Sequence, residues 1–267
     1  MIKILCPTDM SEHSVTALHY AVNLANDLDA ELHVITAYQV SKKASSFINI
    51  EDQVKGNTTE DLEKVMEEIT PMIKNDRAPH VRVYRGNPVN VILKYSEANA
   101  IDLIVMGTQG DNSLRTLLFG SVTAKVGAKA DIPMLAIPEA VKERLQSNKI
   151  LMALDNKVLE HEATFRVPKS LAERLGLKID ILHIADKDED FPFDPYISTY
   201  LGDTIGEVHI KNGKDPVNEI KVYAENNNVG ILIMIRRERS FFSKLFQVGN
   251  TAQEIAKTDI PLMILPE

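Results

Sequence analysis

The residues of this chain best suited to chemistry lie along Val105–Thr123: Gly107 and Gly110 with two residues between them, then Gly120 and Ser121 after nine more, with Thr123 close behind. The first glycine follows Ile101–Met106, an apolar run with the length and composition of a buried parallel strand. Glycine at a strand's carboxyl end permits positive φ and lets a ligand reach the backbone itself. Gly120, Ser121 and Thr123 open a helix running through Val126. A helix start presents unpaired N–H groups at the positive end of its dipole, and hydroxyls add further donors. These features imply a cradle for phosphate, built from one loop and one helix N-terminus. A glycine-bearing turn with no ligand would account for Gly107 and Gly110 alone; the full spacing, with Ser121 and Thr123, favours the cradle. It is neither the Walker loop, which needs Gly-Lys-Ser/Thr, nor the dinucleotide fingerprint, whose glycines stand closer together.

Other candidates follow from where ligands sit in open α/β sheets, beyond the carboxyl ends of the strands. Pro7-Thr8-Asp9 follows the first strand and Val34 lies near the end of the second. The Asp9 carboxylate suits ribose hydroxyls or a nucleobase, and equally suits capping the next helix; beside the glycine loop, the ligand reading gains. Seven histidines are scattered, and no spacing among them makes a metal set, so no metal site is expected. His33 and His183 occupy equivalent strand positions and read as packed structural residues. Cys6, the single cysteine, lies in an apolar strand and reads as packed rather than reactive.

The elements that must position these residues alternate strand and helix. Ile2–Cys6 is a predicted strand. Ser11 caps a helix with Val15, Leu18, Val22 and Ala25 at helical spacing. Glu31–Ala37, Val81–Tyr84, Ile101–Met106 and Met134–Ile137 are further strands. Helices are predicted over Thr59–Lys74, where Pro71 bends or ends the helix, over Pro88–Ala98 with proline in its first turn, and over Ser121–Ala128. Alternation of this kind means a mostly parallel sheet covered on both faces, with right-handed crossovers.

The pattern then repeats. Lys3–Asp9 returns as Lys149–Asp155, Leu32-His33-Val34 as Leu182-His183-Ile184, and Pro88-Val89-Asn90 as Pro216-Val217-Asn218. Asp131-Ile132-Pro133-Met134-Leu135 returns as Asp259-Ile260-Pro261-Leu262-Met263, and each copy closes on Pro-Glu. The order is preserved, so the chain is a tandem duplication of domains 1–140 and 147–267, joined by the polar linker Glu139–Asn148. The second copy is shorter, and Asp186–Gly206 reads as an irregular, partly apolar segment where the first copy has a helix. Its loop is altered: Ile235 and Glu238 replace the two glycines, and Arg236, Arg237 and Arg239 stand near Phe241, Phe242 and Phe246. That combination reads as a solvated basic edge with phenylalanines in the core, or as a docking or anionic-lipid surface. Gly249-Asn250-Thr251 still opens the last helix.

The chain's 267 residues, 44% of them hydrophobic, suffice for two ordinary domains. No run approaches the roughly 18 apolar residues of a membrane span. The N-terminus enters a strand directly, without the pattern of a signal peptide. A lone cysteine rules out an internal disulfide and suits a reducing cytoplasm. The net charge of −8 argues against bulk nucleic-acid binding.

The glycine and hydroxyl spacing of Gly107, Gly110, Gly120 and Ser121 resembles the nucleotide motif of the universal stress protein family, in its ATP-binding branch. The resemblance spans both halves, with the specific motif in the first only. It implies an α/β fold of two tandem Rossmann-like (adenine nucleotide alpha hydrolase-like) domains, each with a mostly parallel five-stranded sheet flanked by helices. It also implies one ATP, with or without Mg2+, in the first domain. By resemblance, Pro7, Thr8 and Asp9 contact the nucleoside, and the backbone of Val34 reads adenine. Met106 and Gly107 lie on the ribose side, while Gly110, Gly120, Ser121, Val122 and Thr123 bind phosphate. Gln109 stands where many nucleotide-binding members have histidine; it keeps a donor but loses a proton acceptor, which tells against catalysis more than against binding. No catalytic residue is assigned, and turnover is expected to be slow at most. The expected protein is a cytoplasmic stress-response protein whose halves pack as a pseudo-dimer through Pro133–Pro138 and Pro261–Pro266, with a homodimer left open. A nucleotide-independent interaction or lipid-binding module on the same fold is the opposing reading.

Overall fold

The computed structural model describes residues 1–40, 48–74, 77–108, 110–111, 116–117, 120–141, 147, 149–155, 165–185, 195–236 and 259–267. Ten strands form one sheet. In the first half they are β1 (Lys3–Pro7), β2 (Glu31–Tyr38), β3 (His80–Arg85), β4 (Leu103–Gly107) and β5 (Met134–Ile137). In the second they are β6 (Lys149–Leu154), β7 (Lys178–Ala185), β8 (Ile205–Asn212), β9 (Ile231–Arg236) and β10 (Leu262–Pro266). The first half runs in the order β3-β2-β1-β4-β5, every neighbour parallel, and the second repeats it as β8-β7-β6-β9-β10. A parallel sheet needs crossovers, and the helices supply them: α1 (Glu12–Leu28), α2 (Ile48–Ile69), α3 (Pro88–Ala98) and α4 (Ser121–Lys129), then α5 (Arg166–Leu175), α6 (Pro195–Leu201) and α7 (Pro216–Asn226).

The halves join through their last strands. β5 and β10 pair antiparallel, Leu262 with Ala136, Met263 with Leu135 and Ile264 with Met134. Leu135 and Met263 are the same position of the repeat, so the register is that of a two-fold axis passing between them. Strands that would be apolar free edges are thereby paired and buried. Each face of the joined sheet carries one apolar layer that runs through both halves. Arg166 on α5 also bonds Asp102, ahead of β4, at 2.9 Å.

Local chemistry explains the helix boundaries. Ser11 caps α1 by accepting from the Ser14 N–H, and Asp29 ends it in the left-handed conformation. Asn87 caps α3 and Asp215 caps α7 by the same device, a side-chain oxygen taking the N–H three residues on, each followed by proline in the first turn.

Two expectations need correction. The predicted helix Thr59–Lys74 begins at Ile48 and ends at Ile69, with a short 3-10 turn through Thr70–Met72 where Pro71 breaks the pattern. Glu51–Thr58 carries few apolar residues, so periodicity misses it; Glu51, Gln53 and Lys55 form helix well, and Glu51 is anchored to Arg85 on β3 at 2.7 Å. The segment read as irregular contains α6, whose Ile197 and Leu201 stand one turn apart and are both buried.

Candidate functional site

The strand order reverses between β1 and β4, where β2 lies on one side and β5 on the other, and a cleft opens there at the carboxyl ends of the strands. Its volume is about 310 Å³. Three separated segments supply its polar wall: Pro7–Asp9 at the end of β1 with Ser11, His13 and Ser14 at the start of α1; Met106 and Gly107 at the end of β4; and Gly120–Thr123 at the start of α4. Ile35, Ala37, Pro88 and Ile92 complete it on the apolar side.

Hydrogen bonds hold the β1 loop in place. The Thr8 N–H donates to the Ile35 carbonyl at 2.9 Å, and the Thr8 hydroxyl pairs with that of Ser14 at 2.9 Å while accepting the Met10 N–H at 3.0 Å. Met10 itself takes φ 62, in the left-handed region that side chains disfavour. Strain of that kind persists where surrounding bonds over-determine it. Asp9 is exposed, and its Oδ1 accepts the Ser11 N–H at 3.1 Å and hydroxyl at 2.6 Å. Partial burial works against its charge, but hydrogen bonds from the Ser11 and Ser14 hydroxyls and from the Ser11 backbone outweigh it. The Asp9 carboxyl therefore titrates below the ordinary carboxylate value. Asp9 thus supports the helix start and lines the cleft at once, so the two readings of this residue are compatible.

Positive φ is not needed at Gly120, which caps α4 at φ −51 and ψ 149, nor does Gly107 adopt it. What Gly107 permits is contact with α1: a Cβ there would lie 2.5 Å from the His13 carbonyl oxygen. Gly120 offers no side-chain cap, and among the described residues the first-turn N–H groups of Ser121, Val122 and Thr123 meet no partner, at the positive end of the helix dipole. The Thr123 hydroxyl is committed elsewhere; it donates to the Gly107 carbonyl at 2.9 Å and ties the start of α4 to the end of β4. It is a brace for the loop rather than a free donor.

Of the residues singled out from sequence, Pro7, Thr8, Asp9, Met106, Gly107, Gly120, Ser121, Val122 and Thr123 meet in this one cleft. The Val34 side chain turns away from it, into the layer beneath α1 and α2, while Ile35 and Ala37 line the cleft; the role expected of Val34 belongs to its backbone and not to that side chain. Gly110 pairs with Leu117 in a two-residue ladder, and Gln109 lies outside the described residues. Sequence reasoning missed His13, Ser14, Ile35, Ala37, Pro88 and Ile92. Helical spacing from the Ser11 cap and two-residue spacing along β2 were signals that could have found most of them.

In the second half, Ile235 is buried and Asp155 exposed. Arg236 is not part of a solvated basic edge: it is partly buried and donates to the Gly127 carbonyl in the last turn of α4 at 2.9 Å. Burial lowers its pKa from the usual guanidinium value, against the pull of Asp131. The expectations for Arg237–Phe246 and Gly249–Thr251 fall outside the described residues.

A doubly wound parallel sheet with a cleft at its switch point defines a Rossmann-like α/β protein. The profile of the universal stress protein family matches residues 1–138, and the chain belongs to that family. A universal stress protein of Methanocaldococcus jannaschii is 35% identical over 149 residues, which cover 53% of this chain and 84% of its own length. A second from the same organism is 32% identical over 153 residues, covering 51% and 93%. Among solved structures, a universal stress protein from Archaeoglobus fulgidus superposes with a TM-score of 0.75 over 98% of this chain and 97% of its own, at 22% identity, a likeness of fold. Among the described residues no helix is long and apolar enough to cross a membrane.

Proposed function

We propose that this chain binds one ATP in the cleft of its first half and acts in the stress response through interactions that depend on the bound nucleotide. The observation that carries the reading is the convergence of Pro7–Asp9, Met106–Gly107 and Gly120–Thr123 on a single cavity with a polar wall and an apolar side. Ile35, Ala37, Ile92 and Met106 suit the faces of a purine. Thr8, Asp9 and Ser14 suit ribose hydroxyls, and the N–H groups of Ser121–Thr123 suit phosphate. Among the described residues Asp9 is the one carboxylate in the lining, so a Mg2+ ion would be held chiefly through phosphates and water rather than by a protein cage. The reading is of binding rather than turnover, since that carboxylate is engaged with Ser11. Domains 1–140 and 147–267 and a cytoplasmic location belong to the same proposal.

Ser121→Glu tests it by calorimetric titration with ATP. Ser121 is exposed at the first position of α4, where a carboxylate suits the helix dipole and leaves the fold intact. Each phosphate charge about 4 Å away is repelled by about 1 kcal/mol in water and about 4 kcal/mol at an effective dielectric near 20. Several such charges reduce affinity by at least about tenfold. Equal binding by both proteins would refute the assignment. A melting temperature unmoved by millimolar ATP would favour the nucleotide-independent module instead.

A further inference from the structure

Away from the cleft, toward the amino ends of β2 and β3, one carboxylate and two imidazoles come together. We propose that Glu31, His33 and His80 form a binding site for one divalent transition-metal ion of the Zn(II) type. Glu31 and His33 are two residues apart on β2 and share a face; the parallel register places His80, the first residue of β3, directly beside His33. One potential ligand atom from each residue lies within 4.8 Å of the other two. The imidazole rings stack with centroids 4.6 Å apart and planes 18° from parallel, and both present Nε2 to Glu31. There they meet the same Glu31 oxygen, His33 Nε2 at 2.9 Å and His80 Nε2 at 3.0 Å.

Two neutral imidazoles and a carboxylate are a donor set for borderline divalent ions, and three protein ligands leave a fourth position for water. Ligand atoms around tetrahedral zinc stand about 3.3 Å apart, given bonds of about 2.0–2.2 Å. Each nitrogen therefore needs to draw back from the Glu31 oxygen by a few tenths of an ångström. His80, half exposed on the sheet's edge strand, is free to make that adjustment, whereas His33 is buried and fixed. In the metal-free arrangement each Nε2–H donates to Glu31. Coordination requires the tautomer with the proton on Nδ1, an exchange that leaves each ring neutral. For His33 that proton has an acceptor waiting: the Tyr95 hydroxyl lies 2.8 Å from Nδ1 and serves either tautomer, donating in one and accepting in the other. A second partner that orients a ligating histidine in this way accompanies most protein metal sites. Lys3 adds a positive charge in range of His33 that the single Glu31 carboxylate must offset. Micromolar affinity is therefore expected, rather than that of a closed structural site. Linear spacing could not reveal this set, because its third member arrives from a neighbouring strand.

The test uses the full chain, free of tag and nucleotide, titrated with Zn(II) alone by calorimetry and with Co(II) by visible absorption. One Zn(II) per chain is expected, with a Co(II) spectrum of low coordination number. His80→Ala and Glu31→Gln should each weaken binding by about tenfold or more, and Tyr95→Phe, which removes the orienting oxygen only, by about tenfold with the Co(II) band shape retained. Melting temperatures of the metal-free variants check that each is folded. Ser121→Glu should leave Zn(II) binding unchanged, which separates this site from any ion carried by nucleotide in the cleft. Absence of Zn(II) binding up to millimolar concentration, or equal binding by wild type, His80→Ala and Glu31→Gln, would overturn the proposal and leave the three residues as a hydrogen-bonded strand brace.

Discussion

Gly107→Ala puts one methyl group between β4 and α1, and its cost can be worked from the backbone. The added Cβ would sit 2.5 Å from the His13 carbonyl oxygen and 3.1 Å from its carbon, with the Ala17 side chain at 3.6 Å. Carbon–oxygen contact becomes comfortable at about 3.3 Å, so the first turns of α1 must retreat by about 0.8 Å. No side chain can swing away, because the obstacle is main chain. The retreat loosens the packing of Ala17, Leu18, Ala21 and Val22, all buried against the sheet. Overpacking costs about 1–3 kcal/mol, and a rigid obstacle belongs in the upper part of that range. At about 2–4 °C per kcal/mol, the melting temperature should fall by about 4–12 °C. Affinity for ATP should fall with it, since Asp9, Ser11, His13 and Ser14 all ride on the displaced segment. Gly56→Ala is the control: its Cβ meets nothing within 4 Å on the exposed side of α2, and it should stabilise by about 0.5–1 kcal/mol. Thermal melting of the three proteins, followed by ATP titration, reads both effects. A Gly107→Ala melting temperature within about a degree of wild type would refute the packing argument.

Arg236→Met keeps the side chain's apolar length but removes the bond to the Gly127 carbonyl, and should cost about 1.5–3 kcal/mol on chemical denaturation; an unchanged midpoint would show that the contact is idle. Because the Asp9 carboxyl titrates below 3.8 when folded, its stabilising bonds are present above about pH 4 and are lost as pH falls toward the folded value. Asp9→Asn should therefore flatten that part of the acid limb, and parallel melting-temperature profiles for the two proteins would contradict it. Burial pushes the Cys6 thiol far above its ordinary range, so alkylating reagents should label it only after unfolding; rapid labelling of the native protein would be inconsistent with its packing.

The sequence was most legible where a single physical rule decided the outcome. Pro88–Ala98 and Met134–Ile137 fall on the elements observed, the first because a cap and an N-terminal proline mark it, the second because a short apolar run between polar residues has few other uses. The cleft's polar wall could be read because it is local: Pro7–Asp9 and Gly120–Thr123 are contiguous pieces at element ends. Its apolar side could not, because Ile35, Ala37 and Ile92 look like any core residues until the strand's parity and the helix's rotation are known. The packing demand on Gly107 was hidden for a related cause. A close approach of α1 is a tertiary fact, and a sequence shows only that a side chain is missing. Likewise the start of α2 was hidden by a polar surface, where helix propensity acts without leaving an apolar stripe.

The pairing of Leu135 with Met263 carries a consequence for how such a chain can vary. Two separate copies meeting across this axis would place the central residue against itself and make every other contact in duplicate, so any substitution would appear twice and the assembly would depend on concentration. Within one chain the partner strand is tethered, and its effective concentration is set by the linker rather than by dilution. Each side of the axis then answers to its own sequence: leucine faces methionine at the centre, and Ala136 faces Leu262 where Met134 faces Ile264. The antiparallel join also turns the carboxyl ends of the two half-sheets toward opposite rims. A loop on one rim can thus change without its counterpart following, and the two halves are free to take up unequal work.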